Sequence, residues 1–329
     1  MARPRPPPGR GATIGPVSRR TKRLSLAAAV LLAGCTALLF AVPGLAFGLA
    51  KRLERGLAGL EEREVAAGDH RLVYLEGGSG PTLLLVHGFA ADKDNWTRLA
   101  RHLSDRFHLV APDLPGHGES DRLESASYDI RSQVERLRAF RAALGLERFH
   151  LAGNSMGGHI AAAYAAAYPA DVESLILLDA AGVEAPEPSE LSALLERGEN
   201  PLVAASAEEF EELLDFLFVE RPYVPAPILD HFAEQAAANR EFHDKIWSDL
   251  GARPLPLEGL LPSIAAPTLV IWGDSDRVLH PSGAEVFQKG IPRARTVMLE
   301  GCGHVPMLER PEEVARHVLE FTGAVSSGG

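Results

Sequence analysis

Cysteine is scarce. Cys35 and Cys302 cannot build a disulfide framework, and no Cys-x-x-Cys pair is present to hold zinc. No Gly-Lys-Ser or Gly-Lys-Thr closes a glycine loop, and no Gly-x-Gly-x-x-Gly opens a helix, which excludes the common phosphate cradles. The 31 glycines and 24 prolines follow no fixed period, so collagen-like and solenoid repeats are excluded too. A composition of 46% hydrophobic and 23% charged residues is that of a globular protein, not of a disordered chain. The 329 residues leave room for two or three domains, or one large one.

Acidic residues are missing from residues 1–23, where Arg3, Arg5, Arg10, Arg19, Arg20, Lys22 and Arg23 give seven positive charges. The overall charge of −11 therefore conceals a body with 26 basic and 44 acidic residues, a net of −18. Such a body has no basic face for nucleic acid.

Charge of either sign is missing from Leu24 to Ala50, a run of 27 residues. At about 1.5 Å per residue a helix of this length spans roughly 40 Å, more than the roughly 30 Å hydrocarbon core of a bilayer. Pro43 kinks the run or ends its apolar part near Val42. Residues 24–50 read as a membrane anchor, and residues 1–23 as a disordered basic tail able to touch anionic lipid heads. Lys51, Arg52 and Arg55 follow, with Glu54 among them. The bias of positive charge favours a cytoplasmic amino terminus and a body on the non-cytoplasmic side. Two other readings stand beside the anchor. Leu32-Ala33-Gly34-Cys35 looks like a lipoprotein box with Cys35 lipidated, and Gly44-Leu45-Ala46 or Gly48-Leu49-Ala50 fits the end of a cleaved secretory signal.

After Glu61 the chain alternates strands and helices. Strands are expected at Arg71–Glu76, Thr82–Val86, His108–Ala111, Phe149–Ala152, Val172–Leu178, Thr268–Trp272 and Arg295–Leu299. Helices are expected at Tyr128–Leu144, where Ile130, Val134, Leu137 and Leu144 recur at helical spacing, at Gly157–Tyr168 before Pro169, and at Pro311–Phe321. Continuous apolar strands between helices indicate a mostly parallel sheet covered on both faces. The rhythm breaks between Gly182 and Pro262, an acidic, proline-punctuated stretch. The body thus spans 62–325, with a helical cap inserted at about 183–262, or a peripheral helical insertion there without a role.

The chemistry sits at strand ends. Gly153-Asn154-Ser155-Met156-Gly157 is a Gly-x-Ser-x-Gly turn between an apolar strand and a helix. A serine on so tight a turn is presented outward, and the Met156 N–H points toward a developing oxyanion at a positive helix end. His87-Gly88-Phe89 follows another strand, and its loop offers a second N–H, from Phe89. His304, in the loop after the last strand, is placed to act as base. Asp276, after Thr268–Trp272, is placed to orient it, with Asp274 as a local competitor and Asp179 as a weaker one. The order Ser155, Asp276, His304 is the one this topology expects. Pro115-Gly116-His117-Gly118-Glu119-Ser120 reads as a structural turn, and neither His87 nor His117 has a partner at metal-ligand spacing.

Together these residues resemble the alpha/beta hydrolase superfamily over about 70–323. Within it the chain is similar to the membrane-anchored monoacylglycerol lipases. The likeness lies in His87-Gly88-Phe89 with Asp92-Lys93-Asp94-Asn95-Trp96, Tyr168-Pro169-Ala170-Asp171-Val172, and Ile271-Trp272-Gly273 with Val278-Leu279 and Ser282-Gly283-Ala284. Cys302-Gly303-His304 with Leu308-Glu309-Arg310-Pro311 and the cap stretch from Asn200-Pro201-Leu202 to Pro225 belong to it as well. The resemblance implies Ser155 as nucleophile, His304 as base then acid, Asp276 as orienting acid, and the Phe89 and Met156 amides as oxyanion donors. It implies two-step hydrolysis of a lipid or small-molecule ester without cofactor or metal, on monoacylglycerols or other short- to medium-chain esters, by an enzyme held at a membrane. Serine in place of aspartate at the turn argues against epoxide hydrolases and haloalkane dehalogenases. The alternative is a carbon–carbon bond hydrolase of ring-cleavage dienoates, although that branch usually carries Trp where this chain has Val305.

Overall fold

The structure, a computed structural model, describes residues 43–327 and, before them, Gly34. The basic tail, most of the apolar run and the lipoprotein box at Cys35 lie outside the described residues. Among the described residues no helix is long and apolar enough to cross a membrane.

One eight-stranded sheet organises the body. Its strands are β1 (Leu60–Ala67), β2 (His70–Gly78), β3 (Thr82–Val86), β4 (His108–Pro112), β5 (Phe149–Asn154), β6 (Val172–Leu178), β7 (Thr268–Gly273) and β8 (Ala294–Leu299). They lie in the order β1-β2-β4-β3-β5-β6-β7-β8. β2 runs antiparallel to β1 and β4, and every other pairing is parallel. β5 is buried at all six positions, and its two polar side chains are paired there, His150 with Ser174 and Asn154 with the Leu178 and His304 carbonyls.

Alternate residues of the central strands feed two cores, as the two-residue period of a strand requires. On one face Leu84, Val86, Leu151, Leu175, Leu177 and Val270 pack under three helices: α3 (Ile130–Ala143), α4 (Met156–Ala167) and α9 (Gly283–Gly290). On the other, Leu83, Leu85, Ala152, Ile176, Leu178 and Ile271 meet Trp96, the short α2 (Thr97–Ala100) and α11 (Pro311–Ser327), which contributes Val314, Val318 and Phe321. α3 starts where the Asp129 carboxylate accepts the Ser132 N–H at 3.0 Å, and it buries Ile130, Val134, Leu137 and Phe140, one helical stripe.

Four helices lie between β6 and β7: α5 (Glu190–Glu196), α6 (Ala207–Leu217), α7 (Ala226–Ala238) and α8 (Arg240–Ala252). Ser206 caps α6 by accepting the Glu209 N–H at 3.1 Å, and the Glu209 carboxylate reaches back to the Ala205 N–H at 2.7 Å. The short α10 (Pro306–Glu309) follows β8.

Two elements depart from the sequence expectation. α1 spans Pro43–Leu57 across the expected anchor boundary and packs on the body through Ala46 and Phe47. β1 begins at Leu60, before the expected start of the body. Its sequence LEEREVAA buries only the two ends fully, so no apolar run marks it.

Candidate active site

β5, α4 and the turn between them fix the serine. Ser155 has φ 54° and ψ −121°, outside the helical region, and its side chain does not cap α4, so Oγ is not spent on a backbone amide. Glycine permits the turn on either side. A Cβ at Gly153 would meet the Gly157 carbonyl oxygen at 2.2 Å, and one at Gly157 would meet the Val86 carbonyl oxygen at 2.1 Å.

β3 brings the loop His87-Gly88-Phe89 against the same turn. A Cβ on Gly88 would come within 3.3 Å of Ser155 Cβ. His87 is fully buried and holds the loop as a neutral ring. Nδ1 donates to the Gly88 carbonyl at 2.8 Å, and Nε2 accepts the Leu114 N–H at 2.9 Å. Burial pushes His87 down to about 4, which keeps this bonding pattern at neutral pH.

β7 and β8 bring in the acid and the imidazole. His304 Nδ1 lies 2.8 Å from Asp276 Oδ2, and both residues are buried. Asp276 Oδ1 accepts the N–H groups of Val278 at 2.8 Å and Leu279 at 3.0 Å. The carboxylate is thus fixed as an acceptor, so Nδ1 carries the proton and Nε2 is left as the basic nitrogen. Asp274 is exposed and caps the Gly301 N–H at 2.8 Å instead. Asn154 ties the two halves together by donating to the carbonyls of Leu178 and His304, each at 3.1 Å.

Asp179 completes a third side of this cluster. It is fully buried at the end of β6 with φ 43°, and its Oδ1 accepts the Gly273 N–H at 2.9 Å. Its Oδ2 has no partner when ionised. One ligand atom each from Asp179, Asp276 and His304 lies within 4.8 Å of the others. Burial, and then the neighbouring Asp276 charge, push Asp179 well above the usual carboxylate range. A protonated Asp179 gives Oδ2 a proton to donate toward Asp276. This trio is the one set of potential metal ligands found among the described residues. His304 Nδ1, both Asp276 oxygens and Asp179 Oδ1 are already taken up by one another and by three backbone amides, the arrangement of an oriented imidazole, and of these carboxylates only Asp179 Oδ2 is left over.

The cap closes over these loops from two sides. The Leu217 carbonyl, at the end of α6, accepts the His304 N–H at 2.8 Å, and a Cβ at Gly303 would strike that carbonyl oxygen at 2.4 Å. Glu309 accepts the Gly303 N–H at 3.0 Å and the Glu220 N–H at 2.9 Å, which pins the cap's return loop to the histidine loop. On the other side α8 places His243 and Trp247 against the Phe89 ring, at centroid distances of 5.8 and 5.4 Å. His117 stacks on His243 at 6.2 Å. Of the cap's apolar residues, Phe216 packs with Leu191 and Val278, while Leu217 and Phe218 pack onto the body. His243 and Trp247 had no sequence signal, since they sit on an ordinary amphipathic helix without a motif.

The profile of the alpha/beta hydrolase family matches residues 83–317. Lipase 1 of Psychrobacter immobilis is 40% identical over 313 residues, covering 91% of this chain and 96% of its own. Monoacylglycerol lipase ABHD6 of Homo sapiens is 33% identical over 285 residues, covering 82% of this chain and 85% of its own. A crystal structure of a membrane phospholipase A, described as a bacterial virulence factor, superposes with a TM-score of 0.86. It is 51% identical, over 93% of this chain and 99% of the other.

Proposed function

The chain belongs to the alpha/beta hydrolase family and is a carboxylic ester hydrolase; from that premise we propose that it is a membrane-held serine esterase that cleaves monoacylglycerols or related short- to medium-chain lipid esters through an acyl-enzyme on Ser155. The observation that carries the reading is the buried His304–Asp276 pair, on a loop that Asn154 ties to the strained Ser155 turn. The relatives support the choice of ester, since a lipase, a monoacylglycerol lipase and a membrane phospholipase are all similar over most of the chain. Residues 24–50 act as the anchor and keep the body where monoacyl lipids partition.

In the mechanism Ser155 Oγ attacks the ester carbonyl carbon while His304 Nε2 takes the hydroxyl proton. Asp276 holds the ring and stabilises the imidazolium. The carbonyl oxygen becomes an oxyanion facing the N–H groups of Met156, at the amino terminus of α4, and Phe89. Removal of one such donor typically costs about 10²–10³ in rate. Collapse breaks the carbon–oxygen bond, and His304 returns the proton to the departing alcohol. Water then attacks the acyl-enzyme with His304 as base, which frees the acid and restores Ser155.

The test is hydrolysis of p-nitrophenyl esters of graded chain length, a monoacylglycerol and a ring-cleavage dienoate, with fluorophosphonate labelling alongside. Ester and monoacylglycerol turnover without dienoate turnover is expected. Ser155→Ala should abolish labelling and lower kcat by about 10⁴-fold or more, with Tm unchanged. Dienoate turnover far above ester turnover would establish the carbon–carbon hydrolase alternative. Residual activity above about one per cent in Ser155→Ala would overturn the nucleophile.

A further inference from the structure

α1 is amphipathic in the reverse of the usual sense. Two of its three cations, Lys51 and Arg55, point inward. Lys51 Nζ lies 3.2 Å from Asp92 and 2.6 Å from Asp94, and Arg55 lies 2.6 Å from Asp94 and 2.7 Å from Glu62. Glu54 turns to Arg101. Phe47 sits against His231 and Phe232 of α7, at 4.7 and 4.8 Å between ring centroids. Three leucines point outward. Leu49, Leu53 and Leu57, spaced by four, are 51%, 64% and 59% exposed, with Arg52 and Gly56 exposed beside them. A helix on a protein surface in water carries its leucines on the inner face. Among the described residues, three of the six exposed large hydrophobic residues lie on this one stripe.

The inward partners matter as much as the outward stripe. Asp92 and Asp94 belong to the loop after β3, the loop that carries Phe89, and His231 and Phe232 belong to the cap. α1 therefore straps the loop beside the Ser155 turn to the cap. Its first residue, Pro43, directly follows the 19 uncharged residues 24–42.

We propose that α1 lies in the headgroup region of a lipid bilayer, with Leu49, Leu53 and Leu57 inserted among the acyl chains and Arg52 at the phosphates, while its inner cations hold the Phe89 loop and Phe47 holds the cap at a fixed attitude to the membrane. A helix whose outer face is apolar and whose end adjoins an uncharged run of spanning length fits a lipid surface better than water. A second copy of the chain is a poorer occupant, because three side chains fall short of the roughly 800 Å² per partner of a stable interface. The proposal rests on the reading of residues 24–50 as an anchor and is independent of the identity of the ester.

Leu53→Trp in the full chain, reconstituted in vesicles of phosphatidylcholine brominated on its acyl chains and phosphatidylglycerol, tests it without any activity measurement. The expected result is that the variant floats with the vesicles and that the added fluorescence is quenched by the bromolipid and shielded from iodide. Flotation with the added tryptophan unquenched and open to iodide overturns the proposal and leaves the anchor standing. Shielding from both quenchers, with a cross-linked dimer, overturns it in favour of a second copy. Failure to float overturns the anchor, and the proposal with it. In a second arm, Leu49, Leu53 and Leu57 are replaced together by Gln. Turnover of a monoacylglycerol in the vesicles should fall about tenfold, while a soluble p-nitrophenyl ester stays within about twofold at unchanged Tm. Equal turnover of the vesicle substrate by variant and wild type overturns the proposal.

Discussion

Two clusters of charged side chains lie within the body, and they solve the same problem in opposite ways. At the ends of β6 to β8, two carboxyl groups, Asp179 and Asp276, face one imidazole, and among the described residues no lysine or arginine bonds to them. Beneath the loop after β3, the fully buried Lys93 Nζ lies 2.7 Å from the equally buried Asp113, 3.0 Å from Glu119 and 3.4 Å from Glu62. Asp113 also accepts the N–H groups of Lys93 at 2.7 Å and Glu119 at 2.8 Å. Burial and the nearby Asp92 push Asp113 up to about 6, so it remains charged at neutral pH beside its lysine. Asp179 meets the same burial with an anion as neighbour and no cation bonded to it, and its carboxyl is pushed well above the usual carboxylate range. The second cluster has a lysine at its centre and holds a loop in place. The first is short of cations and so keeps a site whose protonation can change, which is what acid–base chemistry needs.

The comparison is broken most severely at Asp276. Asp276→Asn should lower kcat about 10⁴-fold while the fold survives, because the amide stabilises the wrong imidazole tautomer and no imidazolium. Asp274→Asn should stay within about threefold, since that carboxylate caps a loop amide in solvent. Steady-state ester hydrolysis by the two variants decides, and a greater loss at Asp274 would make it the orienting acid. The lysine-centred cluster should respond in stability. Lys93→Met leaves Asp113 buried without its cation and should cost about 3–5 kcal/mol in denaturant unfolding. Lys93→Met with Asp113→Asn should recover part of that loss. A double variant no more stable than the single one would show that the charges are not coupled.

The sheet could be read from sequence because its central strands are buried on both faces and hence largely apolar and free of Asp, Glu, Lys and Arg, as in β5 and β7. Ser155 and Asp276 were candidates because each follows such a strand, His304 because it lies in the loop after the more exposed β8, and the structure brings Asp276 and His304 into contact. β1 was hidden because an edge strand needs few apolar positions, and Glu61, Glu62, Arg63 and Glu64 look like a loop. α1 was hidden for a different reason. Its leucines merge with the preceding uncharged run, and only the ion pairs to Asp92 and Asp94 reveal which face is buried. Asp179 was readable only as a rival acid, because its role depends on distance to Asp276, which no spacing encodes.

Asp179 sharpens the contrast further through pH. Its folded pKa lies well above its ordinary value of 3.8, so between that value and the raised one the native state binds more protons than the unfolded chain. Stability from this group therefore falls as pH rises through that window. Asp179→Asn removes the slope and retains both an acceptor for Gly273 N–H and a donor toward Asp276. Its Tm should gain on wild type steadily from about pH 4 upward, with kcat within about tenfold. Asp179→Leu, which can neither donate nor accept, should lose more activity than the Asn variant. Parallel Tm profiles for wild type and the Asn variant would show that Asp179 is ionised in the native protein.

The smallest effect is expected where the cap meets the body, and its sign is opposite. Burial, with the Arg122 charge beside it, holds His243 down at about 4, despite Asp244 next to it. His243 therefore stays neutral in the native state while the unfolded chain takes up a proton near pH 6.5, so its contribution is present above that pH and is lost as pH falls toward about 4. His87 and His159, also held down at about 4, act in the same direction. His243→Gln should flatten the acid limb of the stability profile by at most about 1.4 kcal/mol per pH unit. Because the ring stacks on His117 and meets Phe89, the same variant should raise KM more than it lowers kcat. An acid limb unchanged between wild type and variant would show that His243 is already open to solvent, and the cap then is not closed over Phe89 at neutral pH.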